Sequence, residues 1–152
     1  MASHDKIPTK FERPDESPGF MLWQATNLWQ RRMRSALKES NLTHVQFVLL
    51  ASTVWLKDHE METTQVAISR FAHADVMMVS KVLRSLEEKG LIFRLQDSVD
   101  TRAHIISPTE KGIKLIGKAI KIVEETDSAF FAILDNNIGE FTEMLKKLSS
   151  SD

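Results

Sequence analysis

The sequence predicts a mainly α-helical protein with one small β hairpin, an α+β arrangement. Three observations support this prediction. Apolar residues recur at intervals of three and four over most of the chain, which is the spacing of amphipathic helices. Two short strand-like segments, 91–96 and 103–107, flank the turn sequence DSVDTR. Glycine is rare, and Gly90 stands where a helical pattern stops, which is a common place for glycine.

The composition is that of a globular protein, with 42% hydrophobic and 27% charged residues in a chain of 152. The absence of cysteine excludes disulfides, thiolate metal sites and thiol redox chemistry. Because the net charge is only −1, any binding of nucleic acid must depend on where the cations are placed. Neither a secretory leader nor an apolar run of membrane-spanning length is evident, so we expect a cytoplasmic location without membrane contact.

Helix start signals divide the chain into its elements. We expect a flexible arm over residues 1–16 and a single domain over 17–152. Ser17 before Pro18 and Thr43 before Gln46 are typical helix N-termini. Six helices are predicted, over about 17–39, 43–56, 64–72, 75–89, 109–134 and from Asn136 or Asn137 to 149.

The order of these elements indicates a winged helix-turn-helix over about 43–108. A short helix, a turn and a second helix are followed directly by the hairpin. Ser69 is a small residue where the two helices would cross, and Val79 would be the buried contact of the second helix. His73 occupies the turn position where glycine is usual, and histidine adopts a left-handed backbone less readily than glycine. In this fold the second helix enters the DNA major groove and the hairpin reaches the neighbouring minor groove.

Residues 63–112 resemble the DNA-binding core of the MarR family of bacterial transcription regulators. The shared motifs are a VS-x-VL-x-x-LE-x-x-GL helix, a D-x-x-D-x-R wing and an LT-x-x-G entry to the next helix. They are found here at Val79-Ser80, Val82-Leu83, Leu86-Glu87, Gly90-Leu91, Asp97, Asp100, Arg102, Thr109 and Gly112. Departures from the family pattern are Val99 at the wing tip, Thr101 where members often carry a second arginine, and Pro108 in place of leucine. The missing arginine implies a less cationic wing. The resemblance extends from about Ser17 and implies that helices 17–39 and 109–149 form a dimer.

The predicted recognition helix has an apolar stripe at helical spacing, formed by Val79, Val82, Leu83 and Leu86. The outward face carries the predicted DNA-binding residues Met77, Ser80, Lys81 and Arg84, and Val76 is added to them at the front of the helix. Ser80 and Lys81 can donate hydrogen bonds to bases or phosphates, and Arg84 to phosphate. Val76 and Met77 can contact thymine methyl groups. Met77 and Met78 can alternatively fill gaps between helices.

Arg102 is the predicted DNA-binding residue of the wing. The resemblance implies that it inserts into the minor groove or contacts the backbone, and that it reaches Asp75 at the start of the recognition helix. Alternatively, Arg102 is a solvated arginine paired with Asp100, which would contribute little energetically. Asp75 also suits the role of helix N-cap, and the two roles are compatible.

The flanking helices carry more apolar residues than a lone winged helix can cover, namely Phe130, Phe131, Ile133, Leu134, Ile138, Phe141 and Leu145. A two-fold homodimer would bury them and present two recognition helices to a pseudo-palindromic operator in double-stranded DNA. The alternative is an intramolecular core.

A ligand pocket is predicted at Trp23, Trp29, Met33 and Trp55 on the first two helices. The resemblance implies a cleft for small aromatic or phenolic effectors that lower DNA affinity, and aromatic walls suit such a cleft. The alternative is that these residues belong to the core. The histidines lack the i,i+3 or i,i+4 spacing of a helical zinc site, so we expect neither a metal nor a cofactor.

The favoured function is therefore a DNA-binding transcription regulator, a homodimeric repressor of nearby genes. The alternative is a winged-helix module that binds protein instead of specific DNA. We expect no enzyme, because the chain has no nucleophile–base spacing, no Gly-rich phosphate loop and no metal cluster. The operator, the effector, and the choice between repression and activation are left open by the sequence.

Overall fold

The computed structural model of the protein describes residues 7–151. Within them, the chain forms six α-helices and one two-stranded antiparallel hairpin, which confirms the predicted fold class. The elements are α1 (Pro18–Ala36), α2 (His44–Asp58), α3 (Gln65–Ala72), α4 (Val76–Glu88), β1 (Ile92–Gln96), β2 (His104–Pro108), α5 (Glu110–Phe131) and α6 (Ile138–Ser149). Short 3-10 turns cover Pro14–Glu16, Leu37–Ser40 and Ala132–Asn137. Residues 1–6 of the predicted arm lie outside the described residues.

Side-chain caps fix the starts of α1 to α5, as the sequence predicted for α1, α2 and α4. The Ser17 hydroxyl accepts a hydrogen bond from the amide of Phe20, and Thr43 and Gln46 form a reciprocal capping box. The predicted cap of the last helix is wrong. Asn137 has a helical backbone and makes no side-chain cap, because the chain reverses earlier, at Asp135 with φ 45°, and a 3-10 turn leads directly into α6.

Helix α2 lies at the centre of the core and buries seven side chains. Helix α4 packs beside it through Val79, Leu83 and Leu86, so the predicted inward stripe is confirmed for these three. Val82 is only partly buried. The core is completed by residues from the neighbouring elements: Met33, Leu37, Ile68, Ile92, Ile106, Ile116, Ala119 and Val123.

The hairpin is fixed to the start of the helix-turn-helix. Its strands pair with Ile92 opposite Pro108, and the amide of Ile106 donates a hydrogen bond to the carbonyl of Thr63 at 2.9 Å. Gly112 allows α5 to pass close to the end of α4, since a Cβ there would lie 2.1 Å from the Leu91 carbonyl oxygen. The wing therefore has a defined position relative to α3 and α5.

The flanking helices α1 and α6 bury far fewer of their side chains than α2 does. Helix α6 has no buried residue, and α1 has one, Met33. None of the seven apolar residues predicted to be uncovered is fully buried, and Ile133 is 86% exposed. They do not form an intramolecular core within the described chain. No helix between residues 7 and 151 has both the length and the apolar character to cross a membrane.

Candidate nucleic-acid interface

A tight turn joins α3 to α4. His73 has a left-handed backbone, with φ 50° and ψ 43°, as its position predicted. The buried Ser69 hydroxyl donates to the carbonyl of Ala74 at 2.6 Å, and the Ala74 amide donates to the Ser69 carbonyl at 3.0 Å. Asp75 then caps α4 by accepting a hydrogen bond from the amide of Met78. These contacts set the angle at which α4 leaves the turn.

Four of the predicted DNA-binding residues of α4, Met77, Ser80, Lys81 and Arg84, lie on the side away from its buried stripe, and Val76 is the first residue of the helix. Met77 is 79% exposed, Val76, Lys81 and Arg84 are exposed, and Ser80 is half-buried. An Arg84 guanidinium nitrogen donates to the Ser80 hydroxyl at 3.2 Å, which holds the arginine along the helix face. The structure thus places these side chains together on the surface, and their contacts with DNA stay predictions.

The wing turn is shaped by two aspartates. The Asp97 carboxylate accepts a hydrogen bond from the amide of Val99, and the Asp100 carboxylate accepts one from the amide of Arg102. The Arg102 side chain is exposed and makes no ion pair with Asp75 or Asp100 in the part of the chain that the structure describes. Asp100 supports the wing through the backbone, and the coupling of Arg102 to Asp75 stays a prediction.

The attachment of the wing to α4 involves a pair that the sequence did not reveal. Arg94 of β1 donates through Nε to the Glu87 carboxylate at 3.1 Å. The two residues are on different elements, and only their seven-residue separation across Gly90 could have suggested the contact. Arg94 also lines a cavity of about 330 Å³, together with residues that include Gln65, Arg102 and His104.

The four predicted ligand residues do not form one pocket. Met33 is fully buried in the core, and Trp23 is 66% exposed on α1. Trp29 and Trp55 line separate clefts. Trp55 stacks against His59 and Phe71, with ring centroids 3.9 and 5.1 Å away.

The cleft at Trp29 reaches the recognition helix. It has a volume of about 740 Å³, and its lining includes His73, Asp75 and Met78 at the start of α4. The Trp29 indole donates to Asp127 at 2.7 Å and packs edge-on against His44, with ring centroids 4.9 Å apart. These contacts join α1, α2 and α5 beside the turn of the helix-turn-helix.

His44 was not identified from the sequence, because nothing local marks it as a neighbour of Trp29. Burial lowers the pKa of its imidazole below the usual 6.5. The nearby Asp127 carboxylate acts in the opposite direction on this pKa, and Arg34 adds to the lowering. Within residues 7–151, no group of three histidine, aspartate or glutamate side chains is placed to hold a metal ion.

Comparisons with known proteins agree with this geometry. Residues 38–125 match the family described as the ArnR1-like winged-helix domain. The chain is 45% identical over 141 residues to the uncharacterized HTH-type transcriptional regulator YdcH of Bacillus subtilis, covering 91% of this chain and 96% of that protein.

Solved structures share the whole fold. A MarR-family transcriptional regulator from Rhodococcus sp. RHA1 superposes with a TM-score of 0.81 at 20% identity, covering 93% of this chain and 99% of the other. BpsR of Bordetella bronchiseptica, whose DNA binding is regulated by 6-hydroxynicotinic acid, gives 0.84 at 22% identity, covering 96% and 100%. Together with the helix-turn-helix and wing, these matches show that the chain belongs to the MarR family of DNA-binding, winged helix-turn-helix transcriptional regulators.

Proposed function

We propose that the protein is a homodimeric repressor whose two α4 helices occupy successive major grooves of a pseudo-palindromic operator, and that a small aromatic ligand releases it. The observation that carries the proposal is the surface of α4, where apolar and cationic side chains are exposed on the face opposite its buried stripe. This is the arrangement with which a helix reads base edges and holds phosphates.

The side chains of α4 suit different parts of the groove. Lys81 is exposed and makes no hydrogen bond within the described chain, so its ammonium group is available to guanine or phosphate acceptors. Arg84 is held by Ser80 one turn further along, where a phosphate contact is expected. Met77 lies one turn before Lys81 and offers an apolar contact to a thymine methyl group. Arg102 on the wing would reach the adjacent minor groove.

The uncovered flanking helices support the homodimer. Helix α6 carries apolar residues at positions 138, 141, 145 and 148, a spacing that forms one stripe, yet none of them is buried. A second copy would cover this stripe together with Ile133. Because a two-fold dimer presents the same surface twice, it would bind a pseudo-palindromic site.

The cleft at Trp29 supports the ligand response. It is concave and has an aromatic wall, and its lining continues to Asp75 and Met78 on the recognition helix. A ligand that binds there more tightly when α4 is displaced would lower the affinity for DNA, since ligands shift equilibria by their differential affinity. We expect Trp29 to contribute to this response more than Trp23, Met33 or Trp55.

Binding to the DNA upstream of the protein's own gene tests the DNA contacts. We expect the logarithm of the affinity to fall linearly with the logarithm of salt concentration, because phosphate contacts release counterions. Lys81→Ala should weaken specific binding by about 5- to 150-fold, the usual range for one base contact. Lys118→Ala removes the same charge from an exposed position on α5 and should have little effect.

Equal losses for both lysine variants would contradict the assigned face of α4. Undetectable binding at low salt would contradict the DNA contacts and favour the winged-helix protein-binding module.

The ligand response is tested by titrating a panel of aromatic carboxylates and phenols against the protein–DNA complex. Trp29→Leu should abolish release by an active compound, whereas Trp55→Leu, in the other cleft, should leave it unchanged. If Trp55→Leu abolished release and Trp29→Leu left it unchanged, the ligand site would lie in the cleft at Trp55 instead.

A further inference from the structure

The sulfur atoms of this chain are all in methionine, since the sequence has seven methionines and no cysteine. Their exposure is very uneven within residues 7–151. Met33 is fully buried, four others are 37% to 52% exposed, and Met77 is 79% exposed. A peroxide must reach the thioether sulfur to oxidise it, so Met77 is the described methionine most accessible to this reaction.

The most exposed sulfur is also on the proposed DNA-reading surface. Met77 is the second residue of α4 and lies one helical turn before Lys81. It is outside the hydrophobic core, and the cap of α4 is made by Asp75 and the amide of Met78, without its side chain. A chemical change at this sulfur can therefore alter the surface of α4 while the fold is kept.

We infer that Met77 is an oxidation site through which hydroperoxides lower the affinity of the protein for DNA. The inference rests on the proposed position of α4 in the major groove. A sulfur lone pair attacks the terminal oxygen of the hydroperoxide, the O–O bond breaks, and the proton passes to the departing alkoxide. The products are methionine sulfoxide and an alcohol, or water from hydrogen peroxide. The sulfur is oxidised by two electrons and the peroxide is reduced by two.

The sulfoxide is a poor fit to the surface that the thioether contacts. Its oxygen is a hydrogen-bond acceptor without a proton to donate, and the major-groove edge of guanine and the phosphates also present acceptors. An apolar contact with a thymine methyl group would be replaced by a polar group that must lose its hydration. We expect about a tenfold loss of DNA affinity, comparable with the loss of one base contact. Sulfoxide reductases reverse the modification, so DNA binding should return.

The test oxidises the full-length protein with graded hydrogen peroxide and measures two quantities in the same samples. Peptide mass spectrometry gives the sulfoxide fraction at each methionine, and fluorescence anisotropy gives the affinity for the upstream DNA. We expect sulfoxide to accumulate first at Met77 and the affinity to fall in proportion. The affinity of Met77→Leu for DNA is compared with that of the same variant before treatment, and it should not weaken further at the same dose. Met61→Leu, which removes a half-exposed methionine outside α4, should respond as the wild type does.

Wild-type protein that carries the sulfoxide at Met77 and binds DNA unchanged would overturn the inference. So would a Met77→Leu variant that loses affinity as the wild type does. Treatment of the oxidised wild type with methionine sulfoxide reductase should restore binding, and a failure to restore it after the sulfoxide is removed would point to damage elsewhere and count against Met77. Protein that fails to bind DNA before any oxidant is added would instead contradict the proposed function.

Discussion

The winged-helix unit from α2 to β2 and the flanking helices differ in how far they cover their own apolar residues. Helix α2 buries seven side chains and α4 buries three, whereas α6 buries none despite an apolar stripe. Helices α4 and α6 are both amphipathic and have 13 and 12 residues, so the difference between them lies in what packs against each. The winged-helix unit is covered largely by residues of this chain, whereas a second copy, as proposed above, would cover the flanks.

The largest expected effect is at the centre of the winged-helix unit. Leu83→Ala removes a fully buried side chain that packs beside α2 and should lower the free energy of unfolding by about 2–5 kcal/mol. Urea denaturation of both proteins at two concentrations measures the loss, which should be the same at each. Leu148→Ala, at a position 66% exposed on α6, should reduce stability less and chiefly at low protein concentration. Equal, concentration-independent losses would remove the contrast between the two regions.

The second prediction tests the flanks directly. Leu148→Glu adds a charge to the α6 stripe and should leave the monomer folded, because the position is exposed in one chain. In a dimer the charge would be buried without a partner, which should weaken association by about 3 kcal/mol, or more than a hundredfold. Sedimentation at micromolar concentration should then show a monomer with an unchanged circular dichroism spectrum.

Lys147→Gln is the matched control for that experiment, since it changes the net charge by the same amount at a neighbouring exposed position. It should remain a dimer. A Leu148→Glu protein that sediments like the wild type would show that α6 is not part of the interface, and wild-type protein that is monomeric would contradict the homodimer itself.

The third prediction compares two parts of the winged-helix unit, α4 and the wing. Arg102→Ala should weaken DNA binding by about 1 kcal/mol and reduce the slope of affinity against salt by about one, as expected for one lost phosphate contact. The stability of the protein should not change, because the side chain is exposed and unpaired within the described chain. Affinity and slope that match the wild type would show that Arg102 is a solvated wing arginine.

The sequence predicted local features well and contacts between distant segments poorly. Caps at Ser17, Thr43 and Asp75 and the left-handed turn at His73 depend on a few neighbouring residues, and the structure contains all of them. The bond between Trp29 and Asp127 joins residues 98 positions apart, and no local pattern indicates it. The pocket prediction depends on residue type and on the resemblance, and neither shows that Met33 is buried and Trp23 is exposed.

The smallest expected effect is at the junction between the two regions, where His44 of α2 contacts Trp29 of α1 near Asp127 of α5. Burial lowers the pKa of His44 in the folded protein below the 6.5 expected when unfolded. The unfolded chain therefore binds a proton more readily, so this histidine should reduce stability as the pH falls through 6.5, until the folded pKa is also passed. Urea denaturation at pH 7.5 and 5.5 should show a smaller loss on acidification for His44→Gln than for the wild type. The same loss in both proteins would mean that acid weakens the fold at other sites and that the junction is insensitive to the charge of His44.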